Sequence, residues 1–137
     1  MAEVFAGFIV GFAFSIIVAP AGAIMIVRSS QTTGFAERFA PTGTNIVALA
    51  MVLHFAAFLL LTALGMILGL ALHGIEDRRP AAGLGSPNLV YTALVLALAA
   101  ALVVPMLLAP WRRFALAAAV LGAILFGWAV PWLARAA

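Results

Sequence analysis

The sequence predicts an all-α, polytopic integral membrane protein whose four transmembrane helices form two antiparallel hairpins. Hydrophobic residues make up 67% of the 137 residues and charged residues only 8%, whereas an average soluble domain is about half apolar and a quarter charged. The apolar residues fall into runs at about 4–27, 46–72, 88–108 and 111–133. Each run can cross the roughly 30 Å of hydrocarbon in a bilayer as a helix. Residues 1–137 are therefore expected to form a single transmembrane domain.

The composition argues against catalysis and against a nucleic-acid partner. Cysteine is absent, which removes disulfides, thiolate metal sites and a cysteine nucleophile. All four acidic residues lie at or beyond the ends of the apolar runs, so paired-carboxylate catalysis has no support, and neither an enzyme nor a metal site is predicted. The seven basic residues are arginines at or beyond the ends of the runs. There they meet lipid headgroups and do not form a basic stripe for nucleic acid.

The first run carries a ridge of small residues at intervals of four. The ridge consists of Gly7, Gly11, Ser15, Ala19 and Ala23 on one side of a helix, and it lets a second helix approach closely in lipid. We expect the Ser15 hydroxyl to bond back to the carbonyl of Gly11. Pro20 removes one backbone donor and can kink this helix. The freed carbonyl either lines a binding site or is satisfied by a neighbouring helix.

A polar connection follows, over residues 28–45. Phe35 and Phe39 share one face of a short turn, which is typical of a segment lying on the lipid headgroups and is alternatively a patch for docking a partner. Thr44 or Asn45 is predicted to cap the next helix, because short polar side chains accept from the first free backbone donors.

The second run combines a histidine with a pair of glycines. His54 lies within the apolar segment, and Gly65 and Gly69 have the four-residue spacing of close helix packing. His54 and Gly65 share a helix face, so this face is expected to pack on protein and not on lipid. His54 is a candidate haem ligand, quinone hydrogen-bond donor or proton-relay group. The simpler interpretation is a neutral histidine bonded to a neighbouring helix.

The last two runs are predicted to form a hairpin with aromatic and basic anchors at its ends. Ser86 is the expected N-cap of the third helix. The third run ends at about residue 108 and the fourth begins at about residue 111, so only a tight turn fits between them. Tryptophans at the two ends of the fourth run are about twenty residues apart, which matches the bilayer thickness. The residues predicted to anchor the chain at the membrane interfaces are Arg28, Trp111, Arg112, Arg113, Trp128 and Trp132.

The first run also resembles the opening span of the lysine exporter family. The resemblance covers Gly7 to Gly34 and rests on Gly-Phe-Ile-Val-Gly-Phe-Ala, then Ala-Pro-Ala-Gly, followed by Arg28. The family has a Pro-Gly-Pro turn followed by a basic residue and a glycine; here the second proline and the later spans of the family are missing. The resemblance implies export of a small solute.

Two functions follow from these patterns. The first is a small structural or accessory subunit of a larger membrane complex, such as a respiratory or photosynthetic assembly, which packs its small-residue ridges on other transmembrane subunits. The alternative is a homo-oligomeric channel or exporter, lined by Ser15, Pro20, His54 and Thr62. Either protein contacts membrane lipids. No cofactor is required, although haem or quinone contact at His54 is a hypothesis. The expected location is a multi-pass position in a prokaryotic-type inner or plasma membrane, where a slight arginine bias puts both termini on the non-cytoplasmic side.

Overall fold

The computed structural model describes residues 1–33, 43, 45–78, 88–104 and 111–136. This part of the chain is almost entirely helical and contains no strand, which confirms the predicted all-α class. Its helices are α1 (Ala2–Thr33), α2 (Ile46–Glu76), α3 (Leu89–Val103), α4 (Arg112–Ile124) and α5 (Val130–Ala136), and a π-helical turn at Leu125–Ala129 joins α4 to α5.

Three of these helical stretches are long and apolar enough to cross a membrane. They span Ala2–Gln31, Ile46–Glu76 and Arg112–Ala136, with 30, 31 and 25 residues. At about 1.5 Å per residue each exceeds the roughly 30 Å of hydrocarbon. The helix α3 has 15 residues, and its predicted end at residue 108 lies outside the described residues. The structure is thus compatible with a membrane protein.

The first two helices are longer than predicted. The helix α1 continues to Thr33, so residues 28–33 are helical and not part of a loop. The hydroxyls of Ser29 and Ser30 donate to the carbonyls of Ile26 and Val27 at 3.0 and 2.9 Å, which lets these polar residues remain in a helix. The helix α2 likewise continues past the predicted end at residue 72 and stops at Glu76. The segment around Phe35 and Phe39 lies outside the described residues.

Asparagine caps begin both α2 and α3. Asn45 accepts from the amides of Val47 and Ala48, as one of the two predicted caps. The predicted cap of α3, Ser86, lies outside the described residues. The helix begins at Leu89, and the side chain of Asn88 accepts from the amides of Val90 and Tyr91. The N-cap of α3 is therefore two residues later than predicted. Asparagine can take this role because it is as effective an N-cap as serine.

The fourth predicted span contains a π-helical turn that its sequence pattern does not reveal. Val130 donates its backbone N–H to the carbonyl of Leu125, five residues earlier. Pro131 follows at once, and in a regular α-helix its ring would crowd the carbonyl of Gly127. The wider turn gives that carbonyl room. The helix then continues to Ala136, three residues beyond the predicted end.

The buried core occupies one end of the bundle. The helix α1 packs against α2 on one side and against α5 on the other, while α3 packs on α4. Large buried side chains come from the first half of α1, the last half of α2, the first half of α3 and the region around the π-helical turn. They are Val10, Phe14, Leu68, Leu72, Tyr91, Val95, Phe126 and Val130. Because successive helices run in opposite directions, these halves lie at the same end.

Candidate functional site

Four glycines form a seam in which the backbones of α1 and α2 touch. A Cβ atom added to Gly7 would collide with the backbone carbonyl oxygen of Gly65, and one added to Gly65 would stand 2.7 Å from the Cα of Gly11. A Cβ atom on Gly69 would stand 2.9 Å from the Cα of Val4. No side chain lies between the helices at these points, so the seam has room only for glycine.

The seam changes the expected role of the two small-residue ridges. The sequence suggested that they face other subunits or copies of the same chain; instead Gly7 and Gly11 pack against Gly65 and Gly69 within one chain. Ala19 is also buried, at 3% exposure. The physical reason is that antiparallel helices with the same four-residue spacing bring their ridges into register. Contacts with other chains must therefore use other surfaces.

Ser15 and Thr62 meet at the seam but make their strong hydrogen bonds within their own helices. Ser15 Oγ donates to the carbonyl of Phe12 at 2.7 Å, not to Gly11 as predicted. Thr62 Oγ1 donates to the carbonyl of Phe58 at 2.8 Å. The two hydroxyl oxygens are 3.3 Å apart. The bonds to the backbone carbonyls are the shorter ones, so the contact between the two hydroxyls, in which either oxygen can donate, is the weaker interaction.

This arrangement predicts small effects on stability when either hydroxyl is removed. Ser15→Ala and Thr62→Val should each change the free energy of unfolding by less than about 0.6 kcal/mol, the average for hydrogen bonds between membrane helices. The double variant should show little coupling, because the 3.3 Å contact between the two oxygens is longer than the bond that each hydroxyl makes to a carbonyl of its own helix. Unfolding of the unmodified chain, the two single variants and the double variant in the same detergent measures both the single effects and the coupling. A coupling above about 1 kcal/mol would mean that the hydroxyls do bond across the seam.

His54 lies in an open groove between the second half of α1 and the first half of α2, away from the buried core. The groove has a volume of about 610 Å³. Small residues, Ala23 and Ala50, lie among larger apolar ones such as Ile24 and Met51, and Arg28 is the only charged residue among the described residues of the lining. His54 and Gly65 both lie on the side of α2 toward α1, but Gly65 is closed in the seam whereas His54 reaches the groove.

The two imidazole nitrogens of His54 have different surroundings. Nδ1 is enclosed and has no hydrogen-bond partner in the described part of the chain. An enclosed lone pair costs less than an enclosed N–H without an acceptor. The favoured neutral tautomer therefore carries its proton on Nε2, the nitrogen left to face the groove. His54 thus offers a hydrogen-bond donor to whatever occupies the groove. Among the described residues no three metal-ligating side chains come together.

A second cavity lies between the two helix pairs and is wholly apolar in character. It has a volume of about 250 Å³, and its lining includes Phe14, Val18, Leu64, Leu98 and Phe114. No polar side chain among the described residues belongs to this lining. The cavity can hold hydrocarbon, and it offers no group that would bind or guide a polar solute.

Charged residues from three helices meet at the end of the bundle that holds the core. Arg135 donates to Glu76 through both Nε, at 3.2 Å, and a terminal nitrogen, at 2.6 Å. On the same side, His73 lies 3.5 Å from Glu3 and 3.8 Å from Asp77. The sequence analysis missed the pair between Glu76 and Arg135. The available signal was their placement at the ends of the second and fourth runs, which an antiparallel bundle brings to one side.

The predicted interface anchors occupy two ends of the structure. Arg112 and Arg113 are exposed in the first turn of α4, beside Trp111. Trp128 and Trp132 stack with ring centroids 6.2 Å apart, and both are about half exposed. Their separation from Trp111 along the helix is roughly 25–30 Å. The anchoring role stays a prediction.

No protein-family model, curated protein or solved structure matches this chain. The likeness of the first span to lysine exporters therefore remains an expectation from the sequence.

Proposed function

We propose that this chain is a small, non-catalytic subunit of a larger membrane protein complex, which it joins through side-by-side helix contacts. The observation that supports the proposal is His54. A polar ring within an apolar span faces a groove on the outside of the helix pair, and its enclosed Nδ1 has no partner among the described residues. A donor at this position requires an acceptor that the chain's own described helices do not supply.

The lipid environment makes this requirement strict. Acyl chains offer no hydrogen-bond acceptor, so polar side chains within membranes face protein or a bound ligand. Most of the outward surface of α2 is apolar, with exposed residues such as Leu59, Leu60 and Ile67. Thr62 bonds within its own helix, and His73 and Glu76 lie beside other charged groups near the end of α2. His54 lies within the apolar stretch and lines the groove, which favours the groove as the place where another molecule binds.

The interior offers less support for a channel or exporter. The cavity between the helix pairs is lined by apolar residues, and the hydroxyl protons of Ser15 and Thr62 are held by backbone carbonyls. Of the predicted lining residues, Pro20 and His54 share the outer groove instead. A pathway would then have to lie between copies of the chain, and this is the outcome to be distinguished by experiment.

The proposal includes a multi-pass location. The long apolar helices α1 and α2 run antiparallel along the glycine seam, and we expect all four helical spans to cross one membrane, of the prokaryotic inner or plasma membrane type. Haem or quinone at His54 remains part of the hypothesis. A haem-bearing protein would show a Soret band that is lost in His54→Ala.

Native mass spectrometry after gentle solubilisation of a tagged chain tests the proposal. We expect unlike chains to accompany it in a fixed ratio. Recovery of only a closed ring or dimer of this chain would contradict the proposal and direct attention to transport assays in liposomes.

Substitution of His54 gives a second test that separates folding from association. In His54→Leu the isolated chain should unfold at an equal or higher temperature, because an unsatisfied polar atom is removed. The amount of partner retained should fall about three- to twenty-fold, as expected for the loss of one hydrogen bond between membrane helices. A large fall in stability with full retention of the partner would show that His54 serves the fold and not the contact.

A further inference from the structure

We infer that the apolar cavity between the two helix pairs is a binding site for a membrane lipid. It receives one acyl chain of an anionic phospholipid, whose phosphate lies at Arg112. The inference goes beyond the proposed function and does not depend on the groove beside His54. Three observations carry it: the shape of the cavity, the hydrocarbon character of its walls, and the position of Arg112 relative to its lining.

The cavity is closed at the end of the bundle that holds the core. The rings of Phe14 and Phe126 meet there edge to face, with centroids 5.4 Å apart, and both residues belong to the core. From Phe126 the lining follows α4 back to Phe114, over about 18 Å of helix rise. The cavity is therefore elongated and runs from the core toward the start of α4.

The cavity can be reached from the surrounding lipid. Leu102, near the end of α3, belongs to the lining and is nevertheless 55% exposed. Since α3 and α4 are antiparallel, Leu102 lies toward the same end of the cavity as Phe114. A hydrocarbon chain can therefore enter from the bilayer at this end, while the aromatic pair closes the other.

The walls of the cavity fit a linear hydrocarbon chain. All the described residues of the lining are apolar, so a polar group of a ligand would find no hydrogen-bonding side chain among them. An apolar cavity of about 150 Å³ holds one benzene molecule, so a volume of about 250 Å³ holds roughly ten carbon atoms of a chain. An empty cavity forfeits van der Waals contacts, so an acyl chain that fills it stabilises the bundle.

Arg112 places a positive charge at the headgroup end of the cavity. It precedes the lining residues Ala115 and Ala119 by three and seven positions, so the three residues lie on one side of α4. Arg112 is exposed and forms no ion pair with a described residue. A phosphate beside it can continue into the cavity through its acyl chain. A zwitterionic headgroup offsets its phosphate with an ammonium group, so the charge of Arg112 favours an anionic lipid.

Photolabelling by a lipid tests the inference. The full chain, with any subunits that accompany it, is placed in phosphatidylcholine vesicles containing a trace of phosphatidylglycerol with a diazirine in one acyl chain. We expect the labels to be concentrated in the lining, at residues such as Leu98 and Ala118, with few on the exposed Leu59 and Leu60 of α2. Added unlabelled phosphatidylglycerol should compete about fivefold better than added phosphatidylcholine, as expected for one arginine near the membrane surface.

Two matched pairs of variants locate the headgroup and the chain. Arg112→Gln should lower labelling of the lining about fivefold. Arg113→Gln should have little effect, because Arg113 is turned by about 100° from Arg112 and away from the lining. Ala119→Phe fills the cavity and should abolish the labelling, whereas Ala117→Phe adds the same ring at an exposed position on the far side of α4 and should not change it.

Three results would overturn the inference. They are labels spread evenly over the exposed helix faces, labelling of the lining that depends neither on headgroup charge nor on Arg112, and labelling that persists when Ala119→Phe is folded. Helix content is measured for every variant, and if Ala119→Phe does not fold, Ala119→Leu adds less volume and is judged by the same criterion. None of these readouts requires a partner chain, so failure of the proposed function would leave the result unchanged.

Discussion

Gly65→Ala is expected to separate α1 from α2 and to lower the free energy of unfolding by about 1–3 kcal/mol or more. The added Cβ would overlap the carbonyl oxygen of Gly7 and stand 2.7 Å from the Cα of Gly11. Both are backbone atoms, which cannot turn aside as a flexible side chain can. The helices must move apart, and the loss of close packing then extends along the seam. Unfolding in detergent, followed by circular dichroism, measures the effect.

A second glycine of α2 provides the control. A Cβ on Gly74 would meet nothing within 4 Å, so Gly74→Ala should be neutral or stabilise the helix by up to about 1 kcal/mol through helix propensity. The comparison isolates the steric contact, because the same atoms are added to the same helix. Equal stability of the two variants would show that α1 and α2 do not touch at Gly65.

Loss of either partner in the pair between Glu76 and Arg135 should also lower stability, by about 2 kcal/mol for Arg135→Met. This value lies between the near-zero contribution of exposed pairs and the 3–5 kcal/mol lost when a buried pair is broken. The side chains are only 18% and 15% exposed and share two hydrogen bonds. Without Arg135, the carboxylate of Glu76 would stay in a partly buried site without the two hydrogen bonds that it now accepts.

The double variant Glu76→Leu/Arg135→Met should recover most of this loss, because both charges are then removed from a partly buried site. Arg113→Met serves as the control: it removes the same charge from an exposed position and should change the free energy of unfolding by no more than about 0.5 kcal/mol. The measurement is the stability, at one salt concentration, of five proteins: the unmodified chain, Glu76→Leu, Arg135→Met, the double variant and Arg113→Met. If the double variant is less stable than both single variants, the two residues contribute separately and not as a pair.

The helical class and several element boundaries could be predicted because they depend on local properties. Long apolar runs predict helices that exceed the bilayer thickness, and Asn45 caps α2 as its position suggests. The end of α1 was predicted too early, because serines after Val27 were taken for a loop although their hydroxyls bond back to the helix. The π-helical turn was missed, because a single proline such as Pro131 indicates that the helix is locally distorted but not which form the distortion takes.

The candidate site was predicted only as a set of residue types. His54 was identified by its unusual position in an apolar run, but its groove, with Arg28 from another helix, depends on how α1 and α2 pair. The glycine ridges were identified from their spacing, yet nothing local tells whether such a ridge meets its own chain or another one. Their burial within the hairpin removed them from the surface and left the groove as the candidate contact.

The sequence by itself determined that this chain is helical and apolar enough to cross a membrane, because hydrogen bonding in a helix and hydrophobicity are local properties. It predicted four spans, of which three are long enough to cross a membrane within the described residues. Only the tertiary structure decided that Gly7 faces Gly65, that Arg135 reaches Glu76, and that His54 lines an open groove. These relations join residues far apart in the chain. They depend on how well whole helix surfaces fit one another. A ridge of small residues can pack against lipid, a second chain or another helix of the same chain, and its own sequence does not distinguish these cases.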